Sequence, residues 1–186
     1  MWEKNKKRAP CCLAAFCGIV SVFLAIIFIV YAFFYGLFMG LSGGGRIEAT
    51  GDYRYPLDGT IIVNSSFDLA RVLPEVYGDN EPRPHYGTDF EAIEGTRVLA
   101  ACDGVVSRLY ESYGGGKTVV IDHGNGEETY YLHLSAFACS PDDVVFAGDL
   151  VAFSGNTGAY TTGAHLHFEI HFGGVPVDPM LILPPL

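Results

Sequence analysis

The sequence has little positive charge beyond its first eight residues. It contains 186 residues with 21 acidic side chains against 11 Lys and Arg, and its formal net charge is −10. Residues 1–8 hold four of those cations and one Glu, so the rest of the chain has 7 cations against 20 acids, a net charge of −13. Nucleic-acid binding needs a basic face, and we therefore expect no nucleic-acid partner. The acidity is compatible with cationic or neutral substrates, and with simple solubility.

Cysteine is also scarce. Three of the five cysteines, Cys11, Cys12 and Cys17, lie near the N-terminus, which leaves Cys102 and Cys139 for the rest of the chain. A structural zinc site built from four cysteines is therefore not available. Two cysteines in an oxidising compartment are compatible with a disulfide. Their spacing does not show whether the two side chains meet, so a Cys102–Cys139 bond stays open.

Charge is absent altogether between Leu13 and Leu41. This run of 29 residues exceeds the roughly 20 that cross a bilayer as a helix. Four cations precede it within residues 1–8, and positive charge before a first span holds the N-terminus in the cytoplasm. A cleaved signal peptide is the alternative, because Gly40-Leu41-Ser42 offers small residues, but the apolar region of a signal peptide is only about 7–15 residues long. The length favours a retained signal-anchor.

These features predict the domain organisation. We expect a cytoplasmic basic tail over residues 1–10, a transmembrane signal-anchor helix over 11–41 and a short linker over 42–56. The remaining residues, 57–186, form one domain outside the cell. The protein would then cross the cell membrane once, with its N-terminus in the cytoplasm and its domain on the extracytoplasmic side.

No long helix, internal repeat or low-complexity tract is evident after residue 41. Short apolar segments instead alternate with turn residues, which is typical of an all-β domain. The fold class we predict is a small antiparallel β-sheet sandwich or barrel-like domain preceded by one N-terminal transmembrane helix. The predicted strands are Thr60–Val63, Arg97–Ala101, Gly104–Tyr110, Lys117–Asp122, Glu128–Leu134, Asp149–Phe153, the segment 163–171 and Val175–Val177. His123 to Gly126 is predicted as a hairpin turn, with His123 a turn residue.

The segment 163–171 alternates strictly between polar and apolar side chains. His165, His167, Glu169 and His171 fall on one side, and Leu166, Phe168 and Ile170 fall on the other. A period of two indicates a half-buried strand, on which residues two apart lie about 7 Å from each other. Taken alone, the polar row is explained by a solvated face.

Further clusters favour a chemical function for that row. His85 and Asp89 are separated by a segment containing Gly87, and His133 lies within Tyr131–Ser135. Two neutral imidazoles with one carboxylate form a common catalytic zinc set that leaves a fourth position for water. Zinc lowers the pKa of its water to about 7, and neighbouring histidines exchange protons near neutral pH.

Four blocks carry a resemblance to a known family. They are His85-x-x-x-Asp89, Tyr131-Leu132-His133-Leu134-Ser135, Gly155-Asn156-Thr157-Gly158 and His165-Leu166-His167-Phe168-Glu169. In order and spacing they resemble the lysostaphin/LytM-type zinc metallopeptidases, which are peptidoglycan endopeptidases. The resemblance extends from about Gly59 to Pro179.

The resemblance implies a role for each matching residue. It implies that His85, Asp89 and His167 bind one zinc ion per chain, and that His133 and His165 are catalytic. Which of the two histidines first accepts the proton of the water stays open. Glu169 either orients a ligand histidine or makes an ordinary polar contact, and it is left out of the predicted site.

The function implied is that of a membrane-anchored zinc metalloendopeptidase that hydrolyses peptide bonds in bacterial peptidoglycan, within the stem peptide or the cross-bridge. The alternatives are a non-catalytic LytM-like scaffold, an activator of a separate cell-wall amidase, or a zinc-stabilised component of an adhesion or secretion complex. Inactive relatives typically lack one or more of the five residues, and this chain keeps all of them. One departure concerns Ser65 to Arg71, which lacks the glycine of the family's Ser-x-Phe-Gly-x-Arg segment. It leaves the groove shape and the bond cleaved open.

Overall fold

The computed structural model describes residues 51–72 and 81–186, together with Ile27 and Val30. The predicted tail and the predicted span over 11–41 lie outside the described residues, except that Ile27 and Val30 are helical. Within the described part of the chain, no helix combines the length and hydropathy that a membrane crossing requires. The chain divides into two compact units, Met1–Arg46 and Ile47–Leu186. All elements below belong to the second unit.

The second unit is built almost entirely from short strands. Those in the described residues are β1 (Val63–Ser65), β2 (Thr88–Glu91), β3 (Arg97–Leu99), β4 (Gly104–Ser112), β5 (Gly116–Gly124), β6 (Glu127–Leu134), β7 (Ala136–Phe137), β8 (Val144–Val145), β9 (Leu150–Phe153), β10 (His165–Phe172) and β11 (Val175–Val177). A single 3₁₀ turn, Pro179–Leu181, follows them in that part of the chain. The all-β prediction is confirmed.

The strands form one large antiparallel sheet and one small one. The large sheet has the order β1-β2-β10-β6-β5-β4-β8, and β11 pairs with β10. Strand β10 is central to it, because β6 lies on one side while β2 and β11 share the other side end to end. The small sheet has the order β3-β9-β7. The central position of β10 allows residues from β2 and β6 to meet over one face.

The alternation of β10 determines which face of the large sheet meets the core. Leu166, Phe168 and Ile170 are fully buried, as the period of two predicted. Phe168 packs against Tyr131 of β6 and Phe90 of β2, with ring centroids 5.3 and 6.2 Å apart. Burial of each such side chain contributes about 1.5–3 kcal/mol. The opposite face of β10 therefore carries the polar row.

The packed domain begins before the predicted boundary at Leu57. Tyr53 is buried in the core, and its hydroxyl lies 3.0 Å from a carboxylate oxygen of Glu127. The Arg54 amide donates to the Ala101 carbonyl at 2.8 Å, and the Leu99 amide donates to Pro56 at 2.9 Å. Residues 53–56, assigned above to the linker, therefore form part of the domain. Their sequence shows no strand periodicity because they contact the domain through single backbone hydrogen bonds and not as a regular strand.

Three local expectations also differ from the structure. The first strand occupies 63–65 and not 60–63, and Thr88–Glu91 forms a strand that the sequence analysis did not predict. His123 is a buried residue of β5 and not a turn residue: Nδ1 lies 2.7 Å from the Asp103 carbonyl and Nε2 lies 2.8 Å from the Thr129 hydroxyl. The turn itself is Asn125–Gly126, whose φ angles of 52° and 82° fit a two-residue hairpin loop.

The two cysteines of the domain do not form the disulfide that was left open. Cys102 is buried in the core and Cys139 is half-buried against it, both as thiols. Burial raises the pKa of the Cys139 thiol to about 11.

Candidate metal centre

Two neighbouring strands bring a histidine and an aspartate face to face. In the antiparallel pair of β2 and β10, Asp89 lies directly opposite His167. His85, four residues before Asp89, completes the group. His85 Nε2 lies 3.0 Å from both Asp89 Oδ1 and His167 Nδ1, and His167 Nδ1 lies 2.7 Å from Asp89 Oδ1. These three atoms form a triangle of the size that a metal ion spans.

The size agrees with zinc chemistry. Bonds of about 2.0–2.1 Å in tetrahedral geometry separate two ligand atoms by roughly 3.3 Å. The sides of the triangle are slightly shorter than that. Two imidazoles and one carboxylate are also the donors of a common catalytic zinc set. The residues therefore fit a zinc ion in both size and chemistry.

The outer nitrogens of the two imidazoles support the same conclusion. His85 Nδ1 lies 2.7 Å from the Ser66 carbonyl, which can only accept, so the proton of a neutral ring is on Nδ1. His167 Nε2 lies 2.9 Å from Glu169 Oε1, which accepts in the same way. When both rings are neutral, His85 Nε2 and His167 Nδ1 are bare lone pairs directed at the Asp89 carboxylate, as metal binding requires. Three acceptors at this spacing favour a cation between them.

The electrostatics of the triangle follow from its burial and its hydrogen bonds. Burial opposes ionisation of Asp89, but the adjacent imidazoles of His167 and His85 outweigh it and hold the pKa of Asp89 well below its usual range. Burial opposes protonation of His167, while Asp89 and Glu169 outweigh it and raise its pKa to about 9. Without a metal ion, the positive charge of protonated His167 is what offsets the negative charges of Asp89 and Glu169.

His133 reaches the same face through an unusual backbone conformation. Regular alternation along β6 would put His133 on the core side with Tyr131. His133 instead has φ of 60°, and both Tyr131 and Leu134 face the core. The left-handed residue breaks the alternation and turns the imidazole into the groove. Such strain persists only where the surroundings impose it, and it is concentrated at functional sites.

The turn at Gly155–Gly158 holds His133 in place. His133 Nδ1 lies 2.8 Å from the Thr157 carbonyl, and the Thr157 hydroxyl donates to the Leu134 carbonyl at 2.8 Å. The neutral ring therefore carries its proton on Nδ1 and leaves Nε2 as a base. Burial lowers the pKa of His133 to about 4. The sequence analysis named this segment as one of the four blocks of the resemblance but did not assign it this contact.

His165 is held in the same manner on the other side. Its Nδ1 lies 2.8 Å from the Gly163 carbonyl, and its Nε2 lies 3.5 Å from Asp89 Oδ1. The ring centroids of His133 and His165 are 4.8 Å apart. Two imidazoles whose Nδ1 atoms are bonded to backbone carbonyls, and whose Nε2 atoms are not, therefore flank the triangle. This arrangement can accept a proton on one ring and donate one from the other.

Glu169 contributes more than the sequence analysis assigned to it. One of its oxygens lies 2.9 Å from His167 Nε2, and the other lies 2.6 Å from His171 Nε2. Burial opposes its ionisation, but these two histidines outweigh that effect and lower the pKa of Glu169 to about 2. Period-two spacing from His167 was the signal in the sequence, since it places Glu169 on the same face. Glu169 is thus a positioning residue for His167.

A groove with a volume of about 910 Å³ contains all five predicted site residues, His85, Asp89, His133, His165 and His167. Its walls come from the segment before β2, the β4–β5 connection and the segment before β10. The structure therefore brings together residues that are separated by up to 82 positions in the chain. Their roles as ligands and as catalytic groups remain predictions.

An all-β domain with a groove, a His–Asp–His triangle and two flanking histidines has the architecture of a metallopeptidase. Residues 83–179 match the model of peptidase family M23. The chain belongs to this family, and the resemblance to lysostaphin-type peptidases is confirmed.

Individual relatives agree with the family assignment. The chain is 41% identical over 127 residues to the peptidoglycan DD-endopeptidase ShyA of Vibrio cholerae, which covers 68% of this chain and 29% of that protein. A zinc-containing peptidase from Vibrio cholerae has a similar structure, with a TM-score of 0.65 and 34% identity over 69% of this chain and 39% of that one. The catalytic domain of lysostaphin from Staphylococcus simulans superposes with a TM-score of 0.56 and 30% identity over 65% of this chain and 90% of that domain.

The curated relatives are much longer than this chain. The matched part spans 28% and 29% of the length of the first two. The similarity therefore concerns the peptidase domain.

Proposed function

We propose that this protein is a zinc metalloendopeptidase that hydrolyses peptide bonds in bacterial peptidoglycan. The observation that carries the proposal is the triangle of His85 Nε2, Asp89 Oδ1 and His167 Nδ1, in which each side is 3.0 Å or shorter. Its location in a groove with His133 and His165 supports catalysis over a purely structural metal site. Similarity to a peptidoglycan DD-endopeptidase supports the substrate class.

His85, Asp89 and His167 would hold one zinc ion per chain. A zinc ion in this position supplies Lewis acidity, which lowers the pKa of a bound water and polarises the scissile carbonyl. Protein groups do the remaining work. Glu169 and the Ser66 carbonyl fix the tautomers of the two ligand histidines. The groove positions the peptide and limits the access of bulk water.

His133 and His165 would move the protons. Each has its Nδ1 proton committed to a backbone carbonyl, so each presents Nε2 to the reacting atoms. The low pKa of His133, about 4, keeps that ring neutral at neutral pH and ready to accept a proton. After protonation, either ring can donate to the leaving amine or to the developing oxyanion. The chemistry requires one base and one acid, and the two imidazoles supply both.

Chelation and mutation of His133 test this function together. Purified full-length chain in detergent, loaded with zinc, is incubated with bacterial cell walls, and released peptides are identified by mass spectrometry. We expect a chelator to abolish release and added zinc to restore it. His133→Ala should keep about one zinc per chain and lose activity by roughly 10²–10⁴-fold, the usual contribution of a general acid or base.

The two outcomes that would redirect the assignment are distinct. Normal turnover by His133→Ala would contradict the catalytic role of His133. A zinc-loaded wild-type chain that binds cell walls and releases no peptide would favour the scaffold or amidase-activator alternative.

We also propose that residues 11–41 anchor the domain to the outer side of the cell membrane. The support is the uncharged run from Leu13 to Leu41 behind a basic tail. The anchored form should remain in the membrane fraction after alkaline carbonate extraction. Protease added to intact spheroplasts should degrade the domain and spare the N-terminal tail. Release of the intact chain by carbonate would argue against the anchor.

A further inference from the structure

The groove contrasts with the acidic domain that contains it. Beyond residue 8 the chain has 7 cations and 20 acidic residues. Two of those cations, Arg71 and Arg83, line the groove. The acidic residues that the structure describes there are Asp89 and Glu169, and both are already bonded to histidines. Arg71 therefore brings a positive charge to the groove wall, which points to an anionic group on the substrate.

Arg71 is anchored beside the metal triangle. Its Nη1 donates to the Ser65 hydroxyl at 3.2 Å. Ser65 in β1 lies directly opposite Asp89 in β2, and the Cβ atoms of such pairs are about 4.5–5.5 Å apart. The Arg71 carbonyl also accepts the Arg83 amide at 2.8 Å, which ties its segment to the residues before His85. The guanidinium is thus held next to the place where the scissile bond would lie.

Among residues 51–72 and 81–186, one donor of this guanidinium has a hydrogen-bond partner. An arginine has five N–H donors, and the bond to Ser65 uses one of them. Its Nε is buried and has no hydrogen-bond partner within the part of the chain that the structure describes. No carboxylate among residues 51–72 and 81–186 forms an ion pair with it. Arginine binds carboxylates through paired N–H donors, so a substrate carboxylate is the complementary ligand.

We propose that Arg71 binds a free carboxylate of the substrate, next to the scissile amide on its amine side. This inference rests on the proposed function. In an amide formed by an α-carboxyl group, the residue on the carbonyl side has no α-carboxylate left, and the residue on the amine side can then supply one beside the bond. In this proposal that residue is either chain-terminal or a diamino acid joined through its second amine. Neutral glycine bridges lack the group and would be poorer substrates.

Matched peptides test the proposal. One peptide carries the carboxylate on a chain-terminal residue, a second carries it on a diamino-acid cross-link, and each is paired with its carboxamide. The zinc-loaded full-length chain should cleave at least one carboxylate peptide with kcat/KM about tenfold or more above that of its carboxamide. Arg71→Gln should remove this preference through KM with kcat little changed, because the contact exists before and during the reaction. Which pair shows the preference identifies the source of the carboxylate.

Two further variants isolate the charge. Arg71→Lys should keep part of the preference, since the charge remains and the paired donors are lost. Arg97→Gln removes an exposed cation of β3 outside the groove. This variant should leave kcat/KM unchanged for both members of each pair. If Arg71→Gln lowered kcat/KM equally for the carboxylate peptide and its carboxamide, Arg71 would be only structural, and the inference would be overturned. A wild-type chain without preference in either pair would also overturn it.

A binding experiment separates this inference from the proposed function. Calorimetry with His133→Ala measures the affinity for each peptide pair without turnover. Tighter binding of a carboxylate peptide, lost in the His133→Ala/Arg71→Gln double variant, would support the subsite even if the wild-type chain cleaved nothing. Cleavage by the wild type with equal binding of all four peptides would leave the proposed function standing and reject the subsite.

Discussion

At the scale of single residues, the candidate site depends on where protons are held. Each of its four histidines has one nitrogen bonded to an acceptor outside the triangle: Ser66, Thr157, Gly163 or Glu169. Three of those acceptors are backbone carbonyls, which the fold fixes. Glu169 is the exception, because its side chain is the only charged acceptor of the four. The contribution of Glu169 can therefore be measured by substitution.

Glu169→Gln should weaken zinc binding. Glutamine keeps the size and can still accept from His167 Nε2, but it loses the negative charge that increases the donor strength of the imidazole. Loss of such a supporting group typically costs about 10–100-fold in metal affinity. Competition with a chromophoric chelator measures the change. The matched control is Glu128→Gln, whose carboxylate bonds Arg108 and Tyr130 away from the triangle. Equal zinc affinity in both variants would show that His167 is oriented without the Glu169 charge.

The residue pattern predicted part of this site and missed part of it. The alternation of β10 correctly placed Leu166, Phe168 and Ile170 in the core and the histidines opposite them. His133 could not be placed in this way, because a period of two assigns it to the side of Tyr131. Its position depends on a φ of 60°, which leaves no periodic signal in the sequence. The sequence analysis named His133 in a candidate cluster, and the family resemblance gave it a catalytic role.

At the scale of elements, the approach of β2 to β10 depends on Gly87. A Cβ at this position would collide with the Phe168 carbonyl and would lie 2.8 Å from His167 Nε2 and 2.9 Å from Glu169 Cγ. Backbone atoms of β10 cannot move away without disturbing the register that sets Asp89 opposite His167. The sequence analysis located Gly87 between His85 and Asp89. The atoms that would collide with a side chain at position 87 belong to β10, about 80 positions later in the chain, so only the folded structure identifies them.

Gly87→Ala should therefore disturb both folding and metal binding. Forcing a methyl group into a packed site typically costs about 1–3 kcal/mol, and here the displaced atoms include a ligand histidine. We expect a lower unfolding temperature without metal and a weaker zinc affinity. Thermal unfolding and chelator competition measure the two effects.

The matched control for that substitution is Gly163→Ala. A Cβ at Gly163 meets no atom within 4 Å, so the same methyl group is added without a collision. We expect its unfolding temperature to stay close to that of the wild type. If Gly87→Ala were as stable as Gly163→Ala, the close approach of β10 would not constrain position 87.

At the scale of the whole molecule, the irregular segments were the hardest to predict. Tyr53 to Pro56 pack on the core through two ring contacts, Tyr53 with His123 and Tyr55 with Phe90, and through single backbone bonds, without strand periodicity. The groove walls are likewise connections between strands, and their side chains meet only once the sheet has formed. Turn chemistry did allow the hairpin at Asn125–Gly126 to be placed, because both residues tolerate positive φ.

Charge also acts on the molecule as a whole through its buried titratable groups. Asp89 and Glu169 have lowered pKa values, as have His123 and His133, so each binds a proton less readily in the folded state than in the unfolded chain. His167 is the exception, because without a metal ion its raised pKa adds stability at lower pH. Because four pKa values are lowered and one is raised, we expect the free energy of unfolding of the domain to decrease at acidic pH.

His123 allows one of these contributions to be isolated, because it lies in the core and outside the metal groove. Burial lowers its pKa from 6.5, with partial compensation by the bond to the Asp103 carbonyl. At a pH below about 6.5 the unfolded chain takes up a proton that folded His123 resists, so stability is complete above that pH and is lost as the pH falls. One such group contributes a slope of at most about 1.4 kcal/mol per pH unit. Denaturant unfolding of the wild type and of His123→Gln from pH 5 to pH 8 measures it, and the wild type should lose more stability on acidification than the variant. Parallel curves for the two chains would mean that His123 is protonated as easily in the core as in the unfolded state.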